Sequence, residues 1–66
     1  MEISLTRREN EVLEILSTGA TNREIAEKLI ISIGTVKAHI HNISKKLCAE
    51  GRHHLLVKAR QIGLID

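Results

Sequence analysis

A chain of 66 residues and 7.4 kDa holds one small domain, which excludes a multidomain enzyme or a deep active site between two layers. Hydrophobic residues at 42% and charged residues at 27% predict a folded chain, neither disordered nor low-complexity, whose core uses Leu, Ile, Val and Ala because Phe, Trp and Tyr are absent. The net charge of +2 is unevenly spread: residues 1–30 carry Glu2, Glu9, Glu11, Glu14, Glu24 and Glu27 against Arg7, Arg8, Arg23 and Lys28, whereas residues 31–60 carry Lys37, Lys45, Lys46, Arg52, Lys58 and Arg60 against Glu50 alone, a balance that seeks a polyanion, nucleic acid first.

The elements follow in chain order, with no proline, linker or repeat to divide them. Thr6-Arg7-Arg8-Glu9 is a capping box, a hydroxyl and a carboxylate three residues apart that satisfy two backbone donors, and it predicts a first helix over about 7–18. Val12, Leu13 and Leu16 give that helix an apolar face, and Gly19 supplies a left-handed stop. Thr21-Asn22-Arg23-Glu24 is a second box, stapled by Ala20 and Ile25, and predicts a short helix over about 22–30. Ser32 caps a third helix over about 33–47, with Ile31 and Val36 as its staple. After a break at Cys48-Ala49-Glu50-Gly51, the positions Leu55, Leu56, Ala59 and Ile62 predict a fourth helix over about 52–63. The expected fold is all-α, a four-helix bundle containing a helix-turn-helix.

The third helix has two faces. At 100° per residue, Ile40, Ile43 and Leu47 fall within about 40° of Val36, so one stripe faces the core. The opposite side, centred on Gly34, Ala38 and Lys45, has no acid and short side chains near its start, as a helix needs if its backbone is to lie close to a major-groove floor. Lys37, Ala38, His41 and Asn42 offer the donors, acceptors and methyl group that read base edges, and are the candidate base contacts. Thr21, Asn22, Arg23, Ser32, Thr35, Lys45 and Lys46 lie at helix starts or on the flanks and are candidate phosphate contacts. The turn between the second and third helices contains no glycine, a departure from the commonest helix-turn-helix.

Other chemistries find little support. His39 and His41 stand about 200° apart on a helix and cannot share a metal, and His53 and His54 lack partners at helical spacing, so no metal is expected. His39, on the edge of the core stripe, reads as a packed structural histidine. Glu9 and Glu24 are explained by capping rather than acid/base chemistry, and no catalytic constellation is present. A single cysteine, Cys48, excludes an internal disulfide and reads as a buried, inert thiol. No apolar run approaches the roughly 18 residues of a membrane span, and Met1-Glu2-Ile3-Ser4 lacks the order of a signal peptide, so the expectation is a soluble, cytoplasmic protein that meets no membrane. RNA is disfavoured by the lack of aromatic stacking platforms; a module that docks an acidic protein is the main alternative to DNA.

The run Leu5-Thr6-Arg7-Arg8-Glu9 with Glu11-Val12-Leu13, then Gly19, Thr21-Asn22-Arg23-Glu24-Ile25-Ala26, Ser32, Gly34-Thr35-Val36-Lys37-Ala38-His39-Ile40, Asn42-Ile43, Lys46-Leu47 and Arg52 closely resembles the LuxR-type (GerE-like) DNA-binding domain. The resemblance covers nearly the whole chain. It implies that residues 1–66 form such a domain, the C-terminal part of a larger transcription regulator, although short stand-alone members exist; the ending Lys58–Ile65 looks most like the large, MalT-like regulators. It implies double-stranded DNA as partner, with the third helix in the major groove and Lys37, Ala38 and His41 at base-contacting positions. It also implies a homodimer built on the fourth helix through Leu56, Ala59, Arg60, Gly63 and Leu64, and RNA polymerase as a further candidate partner, without cofactor or small-molecule ligand in this domain. The bare residues leave open whether Leu56, Ala59 and Leu64 belong wholly to the core. One departure stands out: Cys48 occupies the place after the third-helix leucine where the family usually has glycine, so a left-handed cap falls on Cys48 or moves to Gly51.

Overall fold

A computed structural model describes residues 3–66; Met1 and Glu2, which belong to the expected domain and to the leader reading, lie outside the described residues. Four helices follow one another, α1 (Arg7–Leu16), α2 (Asn22–Leu29), α3 (Ile33–Leu47) and α4 (Gly51–Gln61), with no strand among the described residues. The all-α expectation holds, and α3 has the predicted bounds. α1 and α4 each end two residues early, because Ser17–Gly19 and Ile62–Gly63 form turns instead of further helix.

Both capping boxes close as their sequences require. In the first, the Thr6 backbone amide donates to Glu9 Oε1 at 2.9 Å and the Glu9 amide donates to Thr6 Oγ1 at 3.1 Å. In the second, the Thr21 amide donates to Glu24 Oε1 at 2.8 Å and the Glu24 amide to Thr21 Oγ1 at 3.2 Å. Ser32 Oγ accepts from the Thr35 amide at 3.0 Å and shares a hydroxyl–hydroxyl bond of 2.8 Å with Thr35, which starts α3.

The helix ends are less ordinary. α2 stops because Ile30 turns left-handed (φ 56°), letting the Ile31 amide reach back to the Ala26 carbonyl at 3.0 Å. α3 stops in the same way at Cys48 (φ 54°), with the Ala49 amide donating to the Ser44 carbonyl at 2.9 Å. Neither residue is glycine, and each carries a Cβ into a region costing roughly 1–2 kcal/mol. Cys48 therefore makes the cap itself, and Gly51 is left-handed as well (φ 85°). The expectation of a buried thiol is corrected: Cys48 is exposed. Lys58 Nζ from α4 donates to the Leu47 and Cys48 carbonyls, both at 3.1 Å, and so satisfies the C-terminal oxygens of α3.

α3 is the hub, packed against α1, α2 and α4. Val12, Leu13 and Leu16 of α1, Ile25 and Ala26 of α2, Val36, Ile43 and Leu47 of α3, and Leu55 and Ala59 of α4 form the core. Ile40 is half-buried at its edge, while Ile62, read from the sequence as part of the inner face of α4, is 49% exposed beyond the helix end. Lys46 Nζ donates to Glu9 Oε1 at 2.7 Å, an ion pair that ties α3 to the start of α1 where Glu9 is only 4% exposed. Burial pushes the Glu9 carboxyl up, but the bonds from Lys46 and from the Thr6 amide outweigh it and hold the group below its ordinary value of 4.5.

Candidate nucleic-acid interface

With Val36, Ile43 and Leu47 turned inward, the other side of α3 is left to solvent. Gly34, Lys37, Ala38, His41, Asn42 and Lys45 are all exposed, as the periodicity requires. The four candidate base contacts, Lys37, Ala38, His41 and Asn42, thus share one unobstructed surface. A Cβ added to Gly34 would meet only Ser32 Oγ, at 3.8 Å, so the fold itself does not demand a bare backbone there.

Beside this face runs an open groove bounded by α3, the start of α2 and the start of α4. Lys37, His41, Ser44 and Lys45 line one side, Asn22 and Arg52 the other, and among the described residues no carboxylate lines it. Cationic side chains that meet no acid in a concave surface concentrate positive potential there.

Of the candidate phosphate contacts, Thr21, Arg23, Ser32, Thr35 and Lys45 are exposed, and Asn22 is half-buried at the first position of α2. The second box keeps Glu24 ionised at that helix start: the hydrogen bond from the Thr21 amide holds its carboxyl below the ordinary value of 4.5. Lys46 departs from expectation. It is exposed like Lys45, but its ammonium is bonded to Glu9 at the start of α1.

Arg52 belongs to the family pattern, and the sequence alone assigns it no task. Its Nη1 donates to Asn22 Oδ1 at 2.8 Å and its Nη2 donates to the Ala20 carbonyl, a pairing across 30 residues that no local pattern signals. His54 also has a partner the sequence did not suggest, since its Nδ1 accepts from the Glu50 amide at 2.9 Å at the start of α4. His53 is exposed and His39 half-buried on the edge of the core stripe. Among the described residues no group of three His, Cys, Asp or Glu side chains could hold a metal ion.

The expected pairing surface on α4 needs one correction. Ala59 is fully buried in the core and has no surface to offer a second molecule. Leu56 and Leu64 are half-buried against that core, whereas Gly63 is exposed (φ 81°), and the exposed Arg60 donates from Nε to the Asp66 carbonyl at 3.1 Å. No helix among the described residues is long and apolar enough to cross a membrane.

This architecture is shared with known proteins. Residues 3–59 match the family described as bacterial regulatory proteins, luxR family. The chain is 46% identical over 63 residues to the transcriptional regulatory protein LiaR of Bacillus subtilis, covering 96% of this chain and 30% of that protein. It is 42% identical over 62 residues to the spore germination protein GerE of the same organism, covering 94% of this chain and 84% of that one. In structure it matches VqmA of Vibrio cholerae, a LuxR-type receptor described as a dimer in the absence of its target DNA, with a TM-score of 0.94 at 31% identity over 98% of this chain and 30% of that chain. The chain thus spans about a third of the length of LiaR but most of GerE. With sequence, helix order and three-dimensional fold in agreement, the chain belongs to the luxR family of bacterial regulatory proteins, which are regulators of transcription and not enzymes.

Proposed function

We propose that residues 1–66 form a sequence-specific, double-stranded DNA-binding domain of a cytoplasmic transcription regulator, with α3 in the major groove. The observation that carries this reading is the outward face of α3, where Lys37, Ala38, His41 and Asn42 are all exposed with a bare backbone at Gly34. Thr21, Asn22, Arg23, Ser32, Thr35 and Lys45 surround that face and hold phosphates; Lys46 acts instead through Glu9. The helix start at α2 adds backbone amides to the same purpose. Two copies pair on DNA through the surface of α4 left by Leu56, Arg60, Gly63 and Leu64, with Ile62 adding apolar area. A larger regulator, of which this chain is the DNA-reading part, is consistent with its span of LiaR, and RNA polymerase is a partner for that whole assembly.

Selecting bound sites from a random duplex library, then measuring affinity for the selected and a scrambled duplex across a salt series, tests the reading. Lys37→Ala is expected to cost about 1–3 kcal/mol on the selected site and little on the scrambled one. Lys45→Ala should weaken both equally and reduce the salt slope by about 0.9. Gly34→Ala should fold as well as the parent and bind the selected site less tightly, because its new methyl stands between α3 and the groove floor. No salt-dependent binding to any duplex, with retained binding to an acidic protein surface, would overturn the proposal.

A further inference from the structure

The two capping boxes, Thr6-Arg7-Arg8-Glu9 and Thr21-Asn22-Arg23-Glu24, have the same backbone and side-chain bonds, yet only the second is gripped by a distant arginine. The first meets a different long-range cation, Lys46 on the Glu9 carboxylate, and Arg52 takes no atom of the reciprocal Thr21–Glu24 bonds, so it is not part of the cap of α2. Its fork spans the cap, taking the oxygen of Asn22 on one side of Thr21 and the carbonyl of Ala20 on the other.

The consequence lies in the Asn22 carboxamide. A freely turning amide offers an anion its oxygen as readily as its NH2 group, and only the NH2 attracts. With Oδ1 accepting from Arg52, the end left over is Nδ2, which donates to no protein atom among the described residues and is not a buried, unpartnered atom. Asn22 lines the groove shared with Lys37, His41 and Lys45. We propose that Arg52 is a positioning residue that fixes the Asn22 amide with its donor end toward a backbone phosphate, so that α2 and α3 grip the same strand. Arg52 itself touches no phosphate. This rests on the DNA-binding reading above.

The test uses the 66-residue chain and the duplex selected for it, with affinity measured over a salt series for the parent, Asn22→Ala, Arg52→Lys, Arg52→Gln and the double variant Asn22→Ala/Arg52→Lys. Lysine keeps the charge but cannot bridge two acceptors. Asn22→Ala and Arg52→Lys should each weaken binding about three- to tenfold, and the double variant no more than the worse single one, with parental salt slopes throughout. Near-parental binding by Arg52→Lys together with a slope lowered by about 0.9 in Arg52→Gln would overturn the proposal in favour of a direct phosphate contact. Losses that multiply in the double variant would overturn it too. A measurement on the unaltered protein needs no variant to fold: the side-chain NH2 of Asn22 should show an order parameter near the rigid value of about 0.85 in free protein, and one below about 0.6 contradicts the clasp. Failure of the parent to bind duplex DNA sinks the functional reading instead, a distinct result.

Discussion

Two stretches of this chain with nearly the same sequence end in different surroundings. Thr6–Glu9 and Thr21–Glu24 start helices with the same pair of reciprocal bonds, but Glu9 is sunk against α3 and bonded to Lys46, while Glu24 stands exposed to water. One box anchors the core; the other shapes a surface. A local motif therefore determines how a helix begins, and the tertiary neighbours decide what that beginning serves.

The sharpest way to break the comparison is to remove each carboxylate. Glu9→Ala removes the buried carboxylate that accepts from the Lys46 ammonium and the Thr6 amide, and should cost about 1–2 kcal/mol in urea or thermal unfolding. Lys46→Ala should lower stability as well while leaving the salt slope of DNA binding near the parent, unlike Lys45→Ala. Glu24→Ala, at an exposed cap, should cost clearly less than Glu9→Ala. Equal losses for the two glutamates would show that the contrast has no energetic content.

Acid titration sharpens the same contrast. Both carboxyls are held below the ordinary value of 4.5 in the folded chain, so each adds stability that is complete above that value and disappears as the pH falls through the lower, folded one. Stability should therefore drop on acidification below about pH 4.5, and Glu9→Gln should flatten the drop. An unchanged acid limb in Glu9→Gln would remove Glu9 from the pH response.

Changes at the helix ends should matter least. Ile30 is 90% exposed and left-handed, so Ile30→Gly relieves the backbone without losing packing and should stabilise by about 0.5–1 kcal/mol after the added unfolded-state entropy of glycine. A destabilised Ile30→Gly, measured by the same unfolding, would mean that the isoleucine side chain supports the turn.

Much of this was legible in the sequence because it is local. Hydroxyl and carboxylate three residues apart gave the starts of α1 and α2, and the 3.6-residue period of Val36, Ile40, Ile43 and Leu47 set both the core stripe of α3 and its free face. What escaped is long-range or conformational. The Lys46–Glu9 and Arg52–Asn22 pairs join positions 37 and 30 residues apart, which no periodicity encodes, so nothing in the sequence ties the exposed Lys46 to α1. Ile30 in a left-handed cap contradicts the usual preference for glycine, and the tertiary packing of α2 against α3 prevails over that preference. Ala59 lies on the apolar face of the fourth helix in the sequence, and whether that face meets the core or a second copy stays open until the neighbouring helices are placed.

The surface claim itself is tested most directly by titrating isotope-labelled protein with the selected duplex in dilute buffer and following backbone amides. Signals of Lys37, Ala38, His41 and Asn42, with those at the start of α2, are expected to shift most and to return as salt is added, while Leu13, Ile43 and Leu55 stay in place. Shifts confined to α1 or the chain end, with the outward residues of α3 unmoved, would contradict the assignment of that face to DNA.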